Sequence, residues 1–207
     1  MTREGAAGWH GKLPTVSDFA SRRLDARFID HWDSWVSAGL AKMRADDGDR
    51  WIDAYLAAPT WRFLVAPGFL PAPFHAGAWT GVLMPSVDRV GRYYPLTLAA
   101  PLQEAPIDAN TQDALWAWLH RLEDIAMDAL DEDWSIDALE NELFRLGLPT
   151  QGGDPQPGSG NRVTGSVAEF FAAAERPCCV WHSEIDGAPT VFRSRGLHES
   201  ISGLWAT

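Results

Sequence analysis

The sequence predicts an α/β domain in which helices cover both faces of a mixed sheet, and three observations carry that reading. Apolar runs bounded by Pro and Gly, at 61–65, 79–84 and 96–102, are too short for helices and apolar on both sides, as buried strands are. Two stretches, about 25–45 and 111–130, place apolar residues on one 3.6-residue stripe. The order is strands, a helical middle, then strands again.

Taken in order, residues 8–13 (Gly8-Trp9-His10-Gly11-Lys12-Leu13) read as a short strand entering a turn. Asp25 can cap a helix whose stripe is Phe28, Ile29, Trp32, Trp35, Val36, Leu40 and Met43, and Asp47-Gly48-Asp49 ends it. A second short helix spans 50–57 and stops before Pro59. Strands are expected at 60–66, 78–84 and 94–101, with a Pro/Gly-rich loop at 67–76. The long helix at 111–130 points Leu115, Trp118, Leu119, Leu122, Ile125 and Ala129 inward. Ser135 caps the next helix, Trp134 and Leu139 occupy hydrophobic-staple positions, and Gly147 fits its C-terminal cap. Residues from about 150 to 163 have the composition of a flexible loop, and Ser166 with Glu169 forms a capping box for a helix at 167–174. Two last strands, 178–183 and 190–194, flank an Asp186-Gly187 hairpin turn.

The chain has 207 residues, of which 46% are apolar and 11 are Trp, enough for one large core and a single domain over 1–207. No run approaches the ~18 apolar residues of a membrane span, and residues 1–10 lack the apolar segment of a signal peptide. The two cysteines are adjacent, Cys178-Cys179, so a structural disulfide is not expected. Together these features place the chain in a reducing cytoplasm, without membrane insertion.

The net charge of -11 is concentrated. Residues 103–142 hold twelve carboxylates against one basic residue, Arg121, and that difference accounts for the whole net charge. A nucleic-acid surface would need the opposite sign. The block reads either as a solvated helical face or as a docking face for a basic partner, with Asp124, Asp128 and Asp131 at its centre.

Catalytic signatures are absent. No phosphate-binding G-x-x-x-x-G-K-[ST], no H-E-x-x-H, no paired C-x-x-C and no G-x-S-x-G occurs, so no cofactor or metal is expected. The six histidines are scattered and each reads as a surface or hydrogen-bonded side chain rather than a ligand. What stands out is the run from Pro85 to Thr97, which puts Ser86, Asp88, Arg89 and Arg92 within seven residues between two strands. Three readings are open. The four can form an internal network, with Asp88 paired to an arginine. The arginines can fork onto a carboxylate or phosphate of a partner. Ser86 can be a nucleophile, which needs a base that is not near in sequence. Lys12 and Asp18 lie in a similar polar turn and can join the cluster.

Three blocks, residues 8–14 with Ser17-Asp18-Phe19, residues 51–63 with Tyr55-Leu56-Ala57-Ala58-Pro59 at their centre, and residues 81–97 with Pro85-Ser86-Val87-Asp88-Arg89-Val90-Gly91-Arg92-Tyr93-Tyr94, stand in an order and spacing that resemble the TagF (ImpM) family of type VI secretion accessory proteins. Val16-Ser17 departs from the pattern, which has a basic residue and Gly ahead of Asp18. The resemblance implies a three-layer α/β/α sandwich and a cytoplasmic, post-translational negative regulator of apparatus assembly. It implies a forkhead-associated scaffold protein as partner, with any PP2C-type phosphatase carried on a separate chain. A non-catalytic regulator is therefore the expectation, and a hydrolase built on Ser86, Asp88, Arg89 and Arg92 is the alternative.

Overall fold

The structure, a computed structural model, describes residues 5–102, 108–149, 170–172 and 178–205. Its centre is a seven-stranded sheet: β1 (Gly8–Gly11), β2 (Ala20–Arg22), β3 (Trp61–Val65), β4 (Ala78–Met84), β5 (Leu96–Leu102), β6 (Cys179–Ile185) and β7 (Ala188–Ser194) in the spatial order β2-β1-β5-β4-β3-β6-β7. Every pairing is antiparallel. This corrects the mixed sheet expected from the sequence. A long helical segment between strands suggests a crossover to a parallel neighbour. Here it instead returns the chain to the open side of β3, where β6 enters antiparallel, with Phe63 opposite Trp181.

Among the described residues the sheet is accompanied by the helices α1 (Ala26–Asp47), α2 (Trp51–Ala57), α3 (Ala109–Asp131), α4 (Ile136–Leu146) and α5 (Leu197–Leu204). The period-2 geometry of a strand divides the apolar residues between two cores. Leu64, Val82, Met84, Leu96, Leu98 and Val180 pack with α3 and α4. Their neighbours Phe63, Val65, Leu83, Ala99 and Trp181 pack with α1, α2 and α5. Strands apolar on both faces thus have helices on both faces, which is why they carry no polar alternation.

The local signals act as expected. Asp25 accepts a hydrogen bond from the Arg27 amide, Ser135 from the Ala138 amide, and Gly147 (φ 75°) ends α4. Trp134 and Leu139 join the same core. Asp186 and Gly187, both at positive φ, close the β6–β7 hairpin, as its two-residue turn requires. Two elements escaped the sequence reading. β2 has only three residues, and α5 is a single amphipathic stretch after Gly196. The expected loop at about 150–163 and the Ser166–Glu169 capping box lie outside the described residues; residues 170–172 are helical. Among the described residues no helix is long and apolar enough to cross a membrane, and neither cysteine forms a disulfide.

Candidate functional site

The connection from β4 to β5 is the candidate site. Four donors converge on the Asp88 carboxylate. Lys12 Nζ lies 2.7 Å from Oδ2 and Arg92 Nε also 2.7 Å from it. The amides of Val90 and Arg92 donate to Oδ1 at 3.0 and 2.9 Å. The backbone closes a compact loop, with the Asp88 amide on the Arg92 carbonyl and Gly91, at φ 81°, donating to the Asp88 carbonyl. The side chains of Lys12 and Asp88 are 4% and 0% exposed, whereas that of Arg92 is 53% exposed. Burial alone would raise the Asp88 pKa. The hydrogen bonds from Lys12, Arg92 and Val90 outweigh it and hold the carboxyl well below the usual carboxylate range.

The sequence-distant 13–18 turn is stitched to this loop by main chain. The Arg89 amide donates to the Val16 carbonyl at 3.0 Å, and the Arg92 guanidinium donates to the Ser17 carbonyl. Asp18 stands 3.9 Å from the same guanidinium. Val16 and Ser17 meet the loop through carbonyls, so their departure from the family pattern leaves these contacts intact. Ser86 is buried beneath the loop. Its hydroxyl donates to the Lys12 carbonyl at 2.7 Å, its amide donates to the Tyr55 hydroxyl at 2.8 Å, and that hydroxyl donates back to its carbonyl at 3.0 Å. Burial pushes the Tyr55 phenol well above its ordinary range.

The structure therefore brings Lys12, Asp18, Ser86, Asp88 and Arg92 together. Arg89 is the exception. It points to solvent and makes no side-chain hydrogen bond or ion pair among the described residues, so Asp88 pairs with Arg92 and not with Arg89. Sequence reasoning missed Tyr55 and Phe19 as parts of the site. Phe19 is 46% exposed, lies 4.9 Å from Lys12 Nζ and meets Tyr94 edge-on. Both residues fall inside the blocks that carry the family resemblance, the only signal that could have marked them.

The acidic block resolves into several roles. Glu140 accepts hydrogen bonds from Trp9 and Arg23, and Glu123 pairs with Arg62 beneath α3. Asp108 caps α3 and Asp124 pairs with Arg121. Asp128 and Asp131 are exposed on the outer stripe of α3 with no ion pair among the described residues. Two histidines depart from expectation. His10 and His182 are buried, and neither has a hydrogen-bond partner on its ring nitrogens among the described residues. Among the described residues no cluster of His, Cys, Asp or Glu is placed to hold a metal ion.

His182 yields a pH prediction. Burial, then the neighbouring Arg62 and His120, lower its pKa to about 4. Between its ordinary value of 6.5 and about 4, the unfolded chain binds a proton that the folded chain refuses, so stability falls as pH falls through that window. Thermal melts at pH 7 and pH 5 should show a drop several degrees larger for wild type than for His182→Leu. Equal drops would contradict the assignment.

The family model for the TagF N-terminal domain, type VI secretion system-associated, matches residues 8–146, from β1 through α4. The chain belongs to the TagF N-terminal domain family. Every candidate residue above lies within the matched span. The fold is also similar to the crystal structure of PA0076 from Pseudomonas aeruginosa PAO1, at 29% identity and a TM-score of 0.70, covering 96% of this chain and 94% of that one. That similarity extends past α4 through the remaining strands. No curated protein matches the chain. As a TagF-domain protein it is type VI secretion-associated, and its polar loop sits in the part of the chain that defines the family.

Proposed function

We propose that this protein represses type VI secretion after translation, in the cytoplasm, by binding the forkhead-associated scaffold protein of the apparatus without catalysing a reaction. The observation that carries the reading is how the polar loop uses its groups. Asp88 accepts from four donors within the chain, and the Ser86 hydroxyl is buried and donates to a main-chain carbonyl. A nucleophilic serine needs a base to accept its proton and an approach for substrate. Here the carboxylate and the hydroxyl maintain the shape of a loop whose tip faces solvent. A PP2C-type phosphatase acting in the same circuit would be a separate protein.

Two measurements test the proposal. Overproducing the chain in its native host should stop effector export, and the purified protein should bind the purified scaffold with an affinity that weakens with salt, because exposed charges are screened beyond about 8–10 Å. Unchanged export on overproduction, or turnover of a small substrate that Ser86→Ala abolishes, would overturn it in favour of a hydrolase.

A further inference from the structure

We infer that the tip of the 88–92 loop, Arg89 and Val90, together with Phe19 against Lys12, is the surface on which a carboxylate-bearing, partly apolar face of the partner docks. The inference rests on the partner-binding reading above and assigns it a face and a chemistry.

The first argument is the loop's rigidity. β4 and β5 are adjacent antiparallel strands, which a hairpin of about 2–5 residues can join. Here the connection runs from residue 85 to residue 95. The antiparallel bridge Val87–Tyr93 carries the pairing into this connection and leaves the five-residue tip 88–92, which is fixed from within by a buried ion pair and two amide hydrogen bonds to the same carboxylate. The second argument is what the fixed loop displays. Val90 is 61% exposed, the most exposed of the large apolar side chains among the described residues, although its own amide is anchored to Asp88. Phe19 lies on Lys12, the other member of that pair, so two exposed apolar groups flank one buried salt bridge. The third is charge. The chain carries 28 acidic against 17 basic groups, yet the Arg89 guanidinium pairs with none of the described carboxylates. A planar fork held out beside apolar side chains suits a carboxylate on a partner. The ordering cost of such a contact is small, because the loop already has its shape.

The outer stripe of α3 is the competing face, with Asp124, Asp128, Asp131 and a 45% exposed Met127. It would select a basic partner instead, so the two faces make opposite predictions. Titration calorimetry of the purified full chain against the purified scaffold separates them. Arg89→Glu and Val90→Ser should each weaken binding by tenfold or more, with melting temperatures unchanged, and Arg89→Glu should flatten the salt dependence. Arg89→Lys, which keeps the charge and loses the fork, should lose less. Asp124→Lys/Asp128→Lys/Asp131→Lys should change affinity by less than threefold. If the triple variant loses binding and the loop variants bind like wild type, the loop assignment is wrong while the partner reading stands. If wild type does not bind the scaffold at all, the partner reading itself falls and takes the assignment with it. If the wild type sediments as a dimer that Arg89→Glu dissociates, the face belongs to a second copy, which overturns the assignment to a partner.

Discussion

Lys12→Met should lower the melting temperature by roughly 6–12 °C. Removing one partner of a buried ion pair costs about 3–5 kcal/mol, because the other is left without compensation where water cannot reach it. The lower end applies here, since Arg92 and two amides still hold the carboxylate. At about 3 kcal/mol, and roughly 2–4 °C per kcal/mol for a chain of this length, the stated range follows. The same reasoning predicts a coupling. Lys12→Met and Asp88→Asn should each destabilise, but together they should cost clearly less than the sum, since the second change removes the charge that the first left stranded. Strict additivity in denaturant melts would mean that the pair is an incidental contact. Loss of the ion pair should also loosen the loop tip, so these variants should bind the partner less well even below their melting temperatures.

Gly11→Ala should be more damaging still. Gly11 ends β1 at φ 141°, a backbone conformation that residues with a Cβ rarely adopt. An added Cβ would sit 2.2 Å from the Pro95 carbonyl oxygen and 2.9 Å from the Leu96 Cα, both of them backbone that no rotamer change can move aside. Strand β1 would have to part from β5, where His10 pairs with Thr97, and Lys12 would be carried away from Asp88 with it. Backbone strain and overpacking, each about 1–3 kcal/mol, combine to about 2–6 kcal/mol, a large share of the roughly 5–15 kcal/mol that typically holds a folded domain together. Gly91→Ala is the control. Gly91 also has positive φ, at 81°, but nothing stands within 4 Å of its added Cβ. It should therefore pay strain alone, about 1 kcal/mol. If the two variants melt alike, close packing at Gly11 is not what sets its identity.

Strand positions were legible in the sequence wherever a run was apolar on both sides. Trp61, Phe63 and Val65 face one core and Leu64 the other, and a run with no polar alternation says so. Strand direction was not legible. It depends on which end of the sheet the chain re-enters from, which the residues within β6 do not encode. Asp88 with Arg92 was visible because both lie in one loop. Lys12 could be placed only as a candidate, because its contact with Asp88 spans 76 positions and has no local signature. Tyr55 was hidden for a similar reason. Read as helix, α2 gives no sign that this hydroxyl reaches the backbone of Ser86. The buried Arg62, with Glu123 donated from α3, was concealed by its position in an otherwise apolar strand.

The most direct test of regulation without chemistry is effector export from the native host overproducing Ser86→Ala, compared with wild type at equal protein level. The Ser86 hydroxyl contributes one buried hydrogen bond, so its loss should cost about 1 kcal/mol and leave the fold intact. The account predicts that Ser86→Ala blocks export as fully as wild type does. A folded Ser86→Ala protein that still binds the scaffold as wild type does, yet no longer blocks export, would contradict it and make the hydroxyl a reacting group.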